Sequence, residues 1–175
     1  MKITILNGSP RKGGNTEIMA DACLEAAAAK GHEVTKINLA GKQIAGCLGC
    51  QACFANDGVC VQKDDMAEIL NVIDETELLV LASPIYWFDI TAQLKAVIDR
   101  LYARCIKGFH IKESILLLNS ASDGVFSAAV AQYRDMTDYV HWADRGIITI
   151  PNMEAKGSMA ECERLEEVRE LAASL

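Results

Sequence analysis

The sequence predicts an α/β fold: five parallel strands in one sheet, covered by helices on both faces. Three observations carry this reading. Short β-favouring segments alternate with helical periods along the whole chain. Leu78–Ala82 and Ile115–Leu118 are continuous apolar runs, as expected of strands buried on both sides. The first strand segment also breaks into a loop of glycine, proline, hydroxyl and cationic residues that opens directly onto a helix.

Taken in order, the first strand is expected over Lys2–Leu6 and the first helix over Thr16–Lys30. A second strand, Glu33–Asn38, leads into a cysteine-rich loop at 46–60 and a helix over Asp64–Asp74. The third strand, Leu78–Ala82, is followed by a helix over Thr91–Cys105 and a short connection, Ile106–Lys112. Ser114–Asn119 is the fourth strand and Val125–Trp142 the next helix. Gly146–Ile150 closes the sheet, and Met159–Ala173 is a last helix whose acidic residues form a solvated face. Five such strands suit the order 2-1-3-4-5, with a ligand crevice outside their carboxyl ends at the switch between strands one and three. The loops after strands one, three and four should then carry ligand chemistry. With 175 residues, about half apolar, and no linker or repeat, residues 1–175 are expected to form a single domain.

The net charge of −7 leaves nonspecific nucleic-acid binding without an electrostatic basis. No apolar run has the length of a membrane span. The chain starts on a strand pattern rather than a charged-then-apolar leader, so a cytoplasmic location is expected. Seven cysteines in a reducing compartment argue for metal, cluster or redox chemistry rather than a disulfide framework.

The loop after strand one is Asn7-Gly8-Ser9-Pro10-Arg11-Lys12-Gly13-Gly14-Asn15-Thr16. A helix start offers free N–H groups and partial positive charge, glycines allow close approach, and the hydroxyls, amide and cations add donors: a phosphate cradle. The dinucleotide fingerprint fails because Pro10 follows Gly8 by two places, and the Walker A lysine and hydroxyl positions hold Gly14 and Asn15. A receiver-type phospho-acceptor domain lacks its acidic cluster here, where Asn7 and Gly8 stand.

The form Asn-Gly-Ser-Pro-Arg-x-x-x-Asn-Thr resembles the flavodoxin-like NAD(P)H-dependent FMN reductases. The resemblance implies a flavodoxin-like three-layer sandwich that holds the FMN phosphate through Ser9, Arg11, Gly14, Asn15 and Thr16. After strand three, Ser83-Pro84-Ile85-Tyr86-Trp87-Phe88-Asp89 places three aromatics in a row on a loop, which a flat apolar ring would explain. In the resembled family a Pro-x-Tyr-Trp segment lies against the flavin, so Pro84, Ile85, Tyr86 and Trp87 take that role; Phe88 is equally well placed in core or an interface. The following Gln93-Leu94-Lys95 and Asp99-Arg100 also match the family's wording. After strand four, the small residues of Asn119-Ser120-Ala121-Ser122-Asp123-Gly124 would admit the ribityl chain and ring edge at Ser120, Ser122 and Gly124.

Cys47, Cys50, Cys53 and Cys60 are spaced C-x2-C-x2-C-x6-C. Three thiolates at two-residue gaps can wrap one face of a cubane, with a fourth arriving on a short return. The run resembles the compact cluster motif of the iron–sulfur flavoproteins, which share the Ser-Pro-Arg loop. A [4Fe–4S] cluster, free or disulfide-forming thiols, and structural zinc are the three readings. Any cluster is expected on the same carboxyl edge as the FMN. Cys23, Cys105 and Cys162 fall on helices and read as small buried apolar residues, and Trp142 as core or interface.

The implied function is an FMN-dependent oxidoreductase in which NAD(P)H gives a hydride to flavin N5 and the reduced flavin passes electrons to a quinone, another small molecule or a protein. The alternatives are an iron–sulfur flavoprotein carrying FMN plus [4Fe–4S] and exchanging electrons with a ferredoxin-like partner, and a flavin-binding module without turnover. Hydride transfer to a flavin requires no side-chain acid or base, so no catalytic residue is nominated. A homodimer or homotetramer is expected from the family.

Overall fold

A computed structural model describes all residues, 1–175. Five parallel strands form one sheet: β1 (Lys2–Asn7), β2 (Glu33–Asn38), β3 (Leu78–Pro84), β4 (Glu113–Asn119) and β5 (Ala143–Ile150), in the order β2-β1-β3-β4-β5. The helices are α1 (Asn15–Ala29), a single turn α2 (Ala52–Ala55), α3 (Met66–Ile73), α4 (Ala92–Leu101), α5 (Ser127–Val140) and α6 (Leu165–Ala173). The strand order expected from the sequence is the one observed.

Two apolar layers sandwich the sheet. On one face α1 and α6 pack Met19, Cys23, Val168 and Ala172 against Ile3, Ile5, Val80 and Ile115. On the other face α3, α4 and α5 pack Ile69, Val97 and Ala129 against Leu6, Leu79, Leu81 and Leu116. Every residue of β3 is buried, which is why that strand reads as an unbroken apolar run. Trp142 is only 5% exposed and stacks edge-on against Phe109, as core.

Helix ends depart from the sequence reading for local reasons. The helix expected over Thr91–Cys105 ends at Leu101 and continues as a 3-10 turn, Tyr102–Arg104, whose Arg104 reaches Asp74 and the Gly58 carbonyl. The one expected over Val125–Trp142 ends at Val140, because His141 turns left-handed at φ 59° and Trp142 N–H closes onto the Thr137 carbonyl. The last helix is divided into a 3-10 turn, Ser158–Glu161, and α6, with Cys162 extended between them. The turn α2 lies inside the cysteine loop, where no helix is expected from the sequence. No helix is long and apolar enough to cross a membrane.

Candidate functional site

At the carboxyl ends of β1, β3, β4 and β5 lies a cavity of about 260 Å³. Ser9, Arg11, Gly14, Asn15 and Thr16 line one side, Pro84, Ile85 and Tyr86 another, and Asn119, Ser120 and Ala121 a third. The loop after β5 completes it with Met153, Glu154 and Lys156.

The phosphate-loop side is built from the backbone outward. Gly8 N–H donates to the Ala82 carbonyl (2.8 Å), carrying the β1–β3 pairing one residue past the strand. Thr91 caps α4 and donates its hydroxyl to the Gly8 carbonyl at 2.8 Å. A Cβ on Gly8 would meet Leu94 Cβ at 2.8 Å and Thr91 Oγ1 at 3.0 Å, so glycine is required there by packing against α4 rather than by a ligand. Ser9 N–H donates to Asn7 Oδ1 (3.1 Å), and Ser9 Oγ accepts from Arg11 N–H (3.2 Å), which folds the loop back toward the helix. Gly14 then starts α1 with no side-chain cap, and a Cβ there would press on Arg11 at 3.0–3.1 Å. The first-turn N–H groups of α1 therefore face the cavity end without a capping acceptor, the arrangement that suits an anion.

Thr16 is buried and its Oγ1 accepts from Asn119 Nδ2 at 2.7 Å, tying the β1 and β4 loops together. Ile85 N–H donates to the Asn119 carbonyl (2.8 Å), which holds the β3 loop on the same post. The cavity thus has a cationic and N–H-rich end, a Pro84-Ile85-Tyr86 wall and a hydroxyl-bearing edge, a donor set that matches a phosphorylated flat ring with a polar linker.

Nine sequence-expected residues meet in this cavity: Ser9, Arg11, Gly14, Asn15, Thr16, Pro84, Ile85, Tyr86 and Ser120. Trp87, Ser122 and Gly124 do not. Tyr86 and Asp89 exchange backbone hydrogen bonds (2.8 and 3.3 Å), so Trp87 and Phe88 form the tip of a two-residue hairpin with φ 49° and 69°. The tip points the Trp87 ring into solvent, 93% exposed, and Phe88 is exposed beside it rather than in the core. Ser122 and Gly124 lie on the exposed side of the β4 loop. Asn15 faces inward but its amide is engaged by protein: Nδ2 donates to the carbonyls of Met153 (2.9 Å) and Ala155 (2.8 Å), and Oδ1 accepts from Met159 N–H (3.1 Å). The β5 loop is the part that the sequence reading missed. Its signal was the position of Asn152–Gly157 after the last strand of the same sheet edge.

The cysteine loop lies elsewhere. Arg100, near the C-terminal end of α4, bonds Asp64 through Nη1 (2.7 Å) and Nη2 (3.0 Å) and the Ala45 carbonyl through Nη1 (2.9 Å). Asp64 also accepts the N–H groups of Ala45 and Met66, and the Arg100 pairing holds its carboxyl below the usual carboxylate range. With Arg104 on the Gly58 carbonyl and Lys107 on Asp57 (2.7 Å), the loop is strapped along α4 toward the end remote from Thr91. The ten residues of α4 span about 15 Å. The cysteines therefore do not share the cavity's edge within one copy, contrary to the sequence expectation: the loop after β2 is long enough to run down the outside of α3 and α4.

Nor do the thiols converge. Cys47 borders an apolar groove with Tyr102, Cys105, Phe109 and Tyr139, whereas Cys60 lies with Arg100 and Arg104 at a separate small cavity. No three of the chain's Cys, His, Asp or Glu side chains are grouped to hold a metal ion. In this conformation the four loop cysteines do not fit a cluster or a zinc ion. Cys23 is buried and its thiol is pushed up to about 12 by that burial, as a core residue should be, but Cys105 and Cys162 are only half-buried.

A parallel sheet in this order, with an anion-ready helix start beside a Pro84-Ile85-Tyr86 wall at its switch point, defines a flavodoxin-like fold. The family model for NADPH-dependent FMN reductases matches residues 1–158, and the chain belongs to that family. An iron–sulfur flavoprotein of Archaeoglobus fulgidus is 45% identical over 101 residues, 58% of this chain and 46% of that protein. The iron–sulfur flavoprotein of Methanosarcina thermophila is 38% identical over 115 residues, 66% of this chain and 60% of that one. The chain thus spans about half the length of the curated relatives it matches. The solved NAD(P)H:quinone oxidoreductase of Methanothermobacter marburgensis superposes with a TM-score of 0.75 at 17% identity, covering 99% of this chain and 95% of that one, a likeness of fold.

Proposed function

We propose that residues 1–175 form one FMN-binding oxidoreductase unit that takes electrons from NAD(P)H and passes them to an acceptor. The observation that carries this is the uncapped start of α1 with Ser9, Arg11 and Thr16 around it, opening into a cavity walled by Pro84, Ile85 and Tyr86. The first set fits the FMN phosphate and the second the ring, with Ser120 on the third side for the ribityl chain. Bound there, FMN would supply hydride acceptance from a nicotinamide and electron delivery to a second substrate.

The chain's own residues bind and orient. Helix α1 and Arg11 would meet the phosphate charge, and the Thr16–Asn119 bond keeps the β1 and β4 loops at a fixed separation. Tyr86 lines the cavity and is itself exposed, so a nicotinamide or a flat acceptor would approach from its side. No buried acid or base faces the cavity, which suits a reaction whose bond changes occur on cofactor and substrate.

The second reading, an iron–sulfur flavoprotein with a ferredoxin-like partner, is supported by the relatives named above and the four loop cysteines. It requires the cysteine loop to close from the arrangement described. A cytoplasmic homodimer or homotetramer is part of both readings.

The test is an anaerobic titration of purified protein reconstituted with FMN. Bleaching of the flavin band by NADPH or NADH supports the reductase. Bleaching by reduced ferredoxin alone supports the carrier. Bound flavin that neither reagent bleaches leaves a binding module, and failure to bind FMN removes all three readings.

A further inference from the structure

We infer that Lys156, on the loop after β5, is the second cation for the FMN phosphate and that Asn15 is its positioning residue; this rests on the flavin site proposed above. A phosphate monoester carries about −1.5 to −2 charges near neutral pH. A helix start contributes only about half a positive charge and Arg11, the first-loop cation that lines the cavity, adds one, so together they meet only the lower end of that range; Lys12 of the same loop lines a neighbouring cavity instead.

Lys156 is the other cation lining the same cavity. Its Cε lies 3.9 Å from where a Cβ on Gly13 would stand, directly across the mouth of the phosphate loop. Lys156 pairs with no carboxylate, whereas the acid nearest the loop, Glu17, accepts from Gly13 N–H (2.6 Å) and faces Lys36 (3.3 Å). Glu154 also lines the cavity and opposes an anion there, so removing its charge should have the opposite sign to removing that of Lys156.

What brings Lys156 to this place is Asn15. The Asn-Thr pair of the loop reads from sequence as two phosphate donors. In the structure the Asn15 amide instead grips three points of the β5 loop, the Met153 and Ala155 carbonyls and the Met159 N–H, on either side of Lys156. Ser158 Oγ closes the same turn onto the Ala155 carbonyl at 2.8 Å. Asn15 is buried at 7% exposure, and its bond from Met159 N–H is buried while those to the two carbonyls are partly so. The first residue of α1 thereby fixes a lysine from the far end of the sequence over its own N-terminus.

The experiment measures FMN and riboflavin affinity by isothermal titration calorimetry for wild type, Lys156→Ala, Lys156→Arg, Glu154→Gln and Asn15→Ala, at low and high salt. Riboflavin lacks the phosphate and reports the ring site alone. Lys156→Ala should weaken FMN about tenfold, leave riboflavin unchanged and lose its effect at high salt, because the interaction is screened. Lys156→Arg should stay within about threefold of wild type, and Glu154→Gln should tighten FMN. Asn15→Ala should reproduce the FMN-selective loss, with faster hydrogen exchange at 153–158. Equal losses for both ligands, or no loss for either, would overturn the assignment. A wild-type protein that does not prefer FMN to riboflavin would instead remove the phosphate cradle itself.

Discussion

Arg100 and Asp64 form a two-pronged ion pair, 2.7 and 3.0 Å, that joins the lower half of α4 to the return of the cysteine loop. Arg100 is 2% exposed, and it also holds the Ala45 carbonyl at the loop's departure, so one guanidinium clamps both ends. Its Nε has no partner of its own. Removing the carboxylate leaves a buried cation uncompensated. Asp64→Asn should therefore destabilise the fold by about 3–5 kcal/mol, measured by urea denaturation. A loss under 1 kcal/mol on the order of a surface pair would mean that the clamp is solvated.

The same pair sets an acid limit. Asp64 has its folded-state pKa lowered, first by the Arg100 hydrogen bond and then by the N–H groups of Ala45 and Met66. A group depressed on folding stabilises above its unfolded pKa, near 3.9, and loses that contribution as pH falls through the lower folded value. Limited proteolysis at 46–60 should be slow at neutral pH and accelerate below about pH 4, and Asp64→Asn should be fast at both.

Arg11→Ala should weaken FMN by about 1.5–3 kcal/mol, the range of a charge-assisted hydrogen bond, with riboflavin unaffected. Equilibrium dialysis with both ligands reads this directly. An unchanged FMN constant would take Arg11 out of the site.

Gly8→Ala should be harmful even without ligand. The new methyl would lie 2.8 Å from Leu94 Cβ, and both backbones are fixed by sheet and helix bonds. A stability loss of about 1–3 kcal/mol is expected from such overpacking, seen as a lower thermal midpoint of the apoprotein. Wild-type stability with loss of FMN would instead make Gly8 a ligand contact.

Thiol reactivity should follow exposure. Under native conditions iodoacetamide should modify Cys47 and Cys50, which are exposed, long before Cys23, which is buried with its thiol raised to about 12. Peptide mass spectrometry after timed alkylation gives the order. Early labelling of Cys23 would contradict the packing of α1 on the sheet.

Much of this was legible in the residues, and the limits are physical. The strand order followed from alternation and from two buried apolar runs, because a strand covered on both faces shows no period-two pattern. Ser9, Arg11 and Thr16 reached the cavity because a strand–loop–helix start places them locally, within eight residues of chain. Asn15 was legible as a site residue but not in its role, since its partners lie 138 to 144 residues away. Trp87 misled because aromatic identity is visible in sequence while the left-handed turn that swings it outward is not. The path of the cysteine loop was hidden as well: Asp99-Arg100 was legible as family wording, but the path depends on Arg100 and Arg104 bonding Asp64, Ala45 and Gly58, 36 to 55 residues away.

The hairpin that turns Trp87 outward gives the protein a built-in optical probe. Its two tryptophans sit at opposite extremes, Trp87 at 93% exposure and Trp142 at 5%. Iodide in solution should collide with the first and spare the second. Because Trp87 adjoins Tyr86 on the cavity wall, its accessibility to iodide should change when the crevice is occupied, while Trp142 stays shielded as long as the core around it is intact.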